Sequence, residues 1–63
     1  MQQVELKSVK KGEAIKRKHD AKKVYIRGKY DRTYKGYRCD DWDDISRDII
    51  LKGTTLVWVG FDF

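Results

Sequence analysis

Proline is absent from the chain, cysteine occurs once, at Cys39, and histidine once, at His19. A lone cysteine excludes an intramolecular disulfide, and one cysteine with one histidine excludes an ordinary Cys/His zinc site, so two usual supports of a small domain are missing. No apolar run approaches the roughly 18 residues of a membrane span. The longest stretches lie around Ile49 to Leu51 and Leu56 to Val59. Nothing after Met1 resembles a secretory signal and the unpaired thiol suits a reducing compartment, so the expected location is cytoplasmic. Phosphate-binding glycine loops, metal-hydrolase motifs, helix-turn-helix patterns, zinc fingers and the aromatic signature of an RNA-recognition sheet are also missing.

At 63 residues, a chain buries only about 60% of the surface its unfolded form exposes, which allows one domain, 1–63, of modest stability. Homodimerisation is one remaining route to support it. Charged residues make up 40% of the chain, a level compatible with disorder. Against disorder stand two Trp, four Tyr and two Phe, placed in alternating runs with Val and Ile, which predict a folded domain with a loose N-terminal end.

What is present is divided along the chain. Residues 1–38 hold thirteen Lys or Arg against four Asp or Glu, whereas residues 39–63 hold two against six. All four tyrosines fall in the basic part. Cations interleaved with flat rings suit a phosphate backbone carrying unstacked bases.

Strand patterns dominate. From Val24 to Tyr30 the alternation places Val24, Ile26, Gly28 and Tyr30 on one face and Tyr25, Arg27 and Lys29 on the other, a half-buried strand with a basic outer face. A second strand runs from Tyr37 to Trp42. The intervening residues 31–36 make a hairpin in which Gly36 takes the left-handed position. Gly28, with no side chain to pack, predicts a bulge, a bend or a close backbone approach. Lys52-Gly53 reads as the tight turn of a second hairpin joining 49–51 to the hydrophobic run 54–63, whose two faces both read as buried. Lys11-Gly12 turns a weaker strand around Val4 to Val9 into one around Ala14 to Arg17. Between Asp40 and Asp48 a short helix competes, capped by Asp41 or Asp43 with Ile45 and Ile49 four apart, and a helical turn is expected around 43–48. The expected fold is mainly β, with about five short antiparallel strands curled into a small OB-like barrel.

The segments Val24-Tyr25-Ile26-Arg27-Gly28-Lys29-Tyr30-Asp31-Arg32, Tyr37-Arg38-Cys39, Asp43-Asp44-Ile45-Ser46-Arg47, Leu51-Lys52-Gly53 and Val57-Trp58-Val59-Gly60-Phe61 resemble small uncharacterised β-rich proteins encoded by bacteria, their phages and mobile elements. The resemblance covers roughly the last forty residues. It implies a compact accessory protein and transfers no catalytic or binding residue.

Catalysis finds little support in the residues. His19 lies in a polar turn without a partner assigned by spacing, and Cys39 in an alternating strand reads as a small buried hydrophobe. The acidic residues Asp40, Asp41, Asp43, Asp44 and Asp48 lack the turn glycine and closing Glu of a calcium loop and read as a solvated counter-charge. The expectation is therefore a protein without enzymatic activity, cofactor or metal, that binds single-stranded nucleic acid. In this reading Tyr25 and Tyr34 stack on bases while Arg27, Lys29 and Arg32 meet phosphates, with Lys35 of the hairpin loop completing the basic binding face. The blander alternative makes Tyr25 and Tyr34 ordinary strand and turn residues, Tyr30 and Tyr37 core, and the lysines a solubilising coat. A protein-interaction module, with Trp42, Trp58, Phe61 and Phe63 as an apolar centre, and a small structural subunit are the other function classes.

Overall fold

The computed structural model describes residues 1–44 and 46–61. Among the described residues there are six short strands: β1 (Gln2–Glu5), β2 (Ala14–Ile15), β3 (Tyr25–Asp31), β4 (Gly36–Asp41), β5 (Asp48–Leu51) and β6 (Leu56–Val59). Strands β2-β3-β4-β5 form an antiparallel meander curled into a half-barrel, and β1 pairs with β6. Lys16, just after β2, bridges the two sheets by exchanging backbone bonds with Trp58, its N–H donating to the Trp58 carbonyl at 2.9 Å and its carbonyl accepting the Trp58 backbone N–H at 2.7 Å. The mainly β, barrel-like expectation holds.

Alternation explains which side faces in. Tyr37, Cys39 and Asp41 of β4 point inward together with Tyr25 and Arg27, their register partners from β3 being Tyr25 opposite Asp41 and Arg27 opposite Cys39. Leu6, Val9, Ile15, Tyr25, Cys39 and Val57 form the buried cluster, against which Val4, Tyr37, Ile49, Leu51 and Val59 pack. The outer side of the meander is not the basic face the alternation predicted. Arg38 lies there between Asp31 at 3.5 Å and Asp48 at 3.0 Å, so the charge is mixed.

Gly28 marks a bulge. The register moves from Arg27 opposite Cys39 to Tyr30 opposite Tyr37, three residues of β3 against two of β4. A Cβ on Gly28 would stand 2.7 Å from the Arg38 carbonyl oxygen, so the bulge also brings two backbones together. At the hairpin tip the left-handed residue is Lys35, φ 54°, not Gly36. Gly36 is instead a close-approach position, its missing Cβ falling 2.7 Å from Ile50 Cγ2. The Asp31 carboxylate accepts the Thr33 and Tyr34 N–H groups at 2.9 and 3.3 Å, an Asx turn that fixes the tip without the glycine.

Two expected hairpins are replaced by longer-range pairing. β5 and β6 lie in different sheets, because the turn at Lys52-Gly53 carries the chain across rather than back. There the Gly53 and Thr55 carbonyls accept the Lys7 and Leu6 N–H groups, each at 2.9 Å, from a 3-10 turn at Leu6–Ser8. β1 and β2 likewise do not pair with each other, although Gly12 does turn with φ 92°. β6 buries one face, not two: Val57 is fully covered, while Leu56 is 53% exposed. Ile45 and Phe63, invoked for the helical turn and the last strand, lie outside the described residues. Near 43–48 the described residues show one turn, with the Arg47 N–H donating to the Asp44 carbonyl at 3.0 Å, and no helix.

Candidate nucleic-acid interface

The six residues singled out from sequence separate into two groups. Tyr25 is 9% exposed within the core. Arg27 is half-buried, its guanidinium 4.1 Å from the Tyr37 ring centroid and its Nη1 donating to the Gly28 carbonyl at 3.0 Å. Both point inward, opposite to the expected orientation, since the residues that oppose them, Asp41 and Cys39, are buried. Lys29, Arg32, Tyr34 and Lys35 are exposed at the far end of β3 and on the hairpin tip, near Tyr30, whose ring meets Tyr37 edge-on at 5.0 Å. Six residue steps along β3 separate Tyr25 from that tip, about 20 Å at strand spacing.

A denser cationic feature is the loop from β2 to β3, where residues 16–23 carry Lys16, Arg17, Lys18, Lys22 and Lys23 against Asp20. Tryptophan residues adjoin it at both ends. At its start the Lys16 bridge places the loop against Trp58, on whose ring His19 packs edge-on with centroids 4.9 Å apart, and the Lys16 ammonium stands 4.7 Å from the Phe61 ring. At its end the Trp42 backbone N–H donates to the Val24 carbonyl at 2.9 Å, and Trp42 is 54% exposed. Between these ties the Ala21 N–H closes a turn on the Lys18 carbonyl at 3.2 Å.

One ion pair pins the loop to the sheet. Lys23 Nζ donates to Asp41 Oδ2 at 3.0 Å, and the other Asp41 oxygen accepts the Asp43 N–H at 2.9 Å. These bonds hold the Asp41 carboxyl below its ordinary range and raise Lys23 above its own. Arg17 and Lys18, by contrast, make no ion pair among the described residues.

Sequence reasoning overlooked this loop as a site because its aromatic partners come from β6 and the end of β4, distant in the chain. The visible signal was the cation run Lys16-Arg17-Lys18 followed by Lys22-Lys23. No cluster of metal-ligating side chains occurs among the described residues. No helix among them is long and apolar enough to cross a membrane.

Fold and surface together define a small barrel-like β protein with a cationic loop between two tryptophans. No protein-family model, curated protein or solved structure matches the chain.

Proposed function

We propose that the protein is a non-enzymatic accessory factor that binds single-stranded nucleic acid through the β2–β3 loop. The observation that carries this reading is the placement of Trp58 and Trp42 at the two ends of a loop holding five cations. Phosphates meet Arg17, Lys18 and Lys22, while the exposed Trp42 ring offers a platform for a base. The hairpin tip, with Arg32, Tyr34 and Lys35, supplies a second, weaker cationic contact. Buried Cys39 and a His19 packed on Trp58 support the absence of nucleophilic catalysis.

Fluorescence anisotropy with labelled single-stranded DNA, single-stranded RNA and duplex DNA tests it, at about 50 and 200 mM salt, over which phosphate-led affinity falls steeply. Single strands are expected to bind more tightly than duplex. Trp42→Ala should weaken that binding by about 1–3 kcal/mol, the size of one stacked base, with Tyr34→Ala having the smaller effect. The reverse ranking would move the site to the hairpin tip. Weak, equal and fully salt-sensitive binding to all three probes would reduce the surface to non-specific cationic attraction.

A further inference from the structure

The sheet side of the cationic loop is hollow, and we infer that the hollow receives a terminal phosphomonoester of the bound strand, in preference to the diesters along it. This inference rests on the nucleic-acid reading above. The cavity has a volume of about 430 Å³ and is lined by Arg17, Lys18, Ala21, Lys23, Tyr25 and Thr55. That volume falls within the roughly 300–1,000 Å³ of small-ligand sites and leaves room for an end group with part of its nucleotide.

Charge selects the end group. Arg17, Lys18 and Lys23 bring three positive charges to one cavity, and the 3.0 Å pair with Asp41 offsets one of them. A diester carries a single negative charge and would leave the rest uncompensated, whereas a phosphomonoester carries about −1.5 to −2 at neutral pH and three acceptor oxygens. The planar fork of Arg17 suits two of those oxygens at once.

The fixed and movable parts of the cavity are distinct. Tyr25 is a core residue, and Thr55 is held by its own N–H on the Lys52 carbonyl and by the Leu6 N–H on its carbonyl, both at 2.9 Å. Lys23, on the boundary with the neighbouring depression, is tied to Asp41, which the Asp43 N–H in turn holds. Arg17 and Lys18 are exposed and make no ion pair among the described residues, and they can close on an incoming anion. Beyond the Lys23–Asp41 bridge a second depression of about 390 Å³ mixes Arg47 with Asp41 and Asp48, so a dianion is favoured on the first side.

Short single strands of one sequence, bearing a 5′-phosphate, a 3′-phosphate or neither, provide the test, with inorganic phosphate and a mononucleotide as competitors. One phosphorylated end should bind about tenfold more tightly than the unphosphorylated strand, the gain of charge-assisted hydrogen bonds to the end group. Arg17→Gln with Lys18→Gln, both on an exposed loop, should bring that ratio close to one, and inorganic phosphate should erode it. Equal binding of phosphorylated and unphosphorylated strands would overturn the end-group site while leaving the single-strand reading intact. A preference that survives the double substitution would place the phosphate elsewhere and overturn the assignment. Competition by the mononucleotide as strong as by the phosphorylated strand would make the ligand a free nucleotide and overturn the strand-end claim. Failure of every strand to bind would overturn both readings.

Discussion

Tyr25 packs in the core with 9% of its surface exposed, whereas Tyr34 is 66% exposed at the hairpin tip. Removing a buried ring costs about 3 kcal/mol or more, from lost apolar burial and the cavity left behind. A domain of this size has only about 3–9 kcal/mol of total stability. Tyr25→Ala is therefore expected to remove about a third or more of that stability, and Tyr34→Ala to stay within about 0.5 kcal/mol of the parent in urea denaturation. A Tyr25→Ala variant of parental stability would contradict the packing described. Cys39 carries a related prediction. Burial pushes its thiol up to about 11, against an ordinary value of 9.0. The unfolded chain therefore loses this proton first, so stability present below pH 9 is withdrawn as pH rises towards about 11, by up to about 1.4 kcal/mol per pH unit. Cys39→Ala should flatten that alkaline decline in melts at several pH values, and the native thiol should react with a disulfide reagent only as fast as the protein unfolds. Rapid native labelling would show an accessible thiolate.

In the β3–β4 hairpin the left-handed position expected of Gly36 falls to its neighbour Lys35, and Gly36 marks a close approach instead. Gly36 has no room for a Cβ beside Ile50 Cγ2 and the Leu51 carbonyl oxygen at 2.9 Å, so Gly36→Ala pushes β5 from β4 and should cost about 1–3 kcal/mol. Lys35 holds φ 54°. Because an L-residue there is disfavoured by about 1 kcal/mol, Lys35→Gly should raise the urea midpoint. A harmless Gly36→Ala would mean that β4 and β5 can separate without loss. The hairpin itself was legible, since Val24 to Tyr30 and Tyr37 to Trp42 alternate and Gly28 marks the bulge. Its inward face was not legible, because Val24 and Tyr25 are both buried and either phase of the alternation offered apolar residues. The assignment of β6 to β5 failed for a different reason: a Lys-Gly turn gives local direction, but the partner of β6 is β1, whose pairing no local pattern announces. The cation run of the β2–β3 loop was visible as composition. Its neighbourhood with Trp42 and Trp58 depends on that same long-range pairing and was not.

Across the molecule, hydrogen-bonded neighbours run from β1 to β6, through the Lys16 bridge to β2, and on through β3 and β4 to β5. The β1–β6 pair joins Gln2 to Val59 and Val4 to Val57, so its closure spans nearly the whole sequence. Such non-local pairing bears the greatest loop-closure cost of any in the fold. Removing residues 1–5 would strip away Val4, which packs against the buried cluster, leave Val57 and Val59 without their strand partner and turn β6 into an open edge. Trp58 would then lose the strand that steadies it, and with it the anchor of Lys16 and the start of the cationic loop. The truncated chain is therefore expected to lose cooperative thermal unfolding and single-strand binding together, with calorimetry and anisotropy as the paired readouts. Retained cooperativity with lost binding would show that the four-stranded meander folds by itself and that β1 and β6 serve the interface alone.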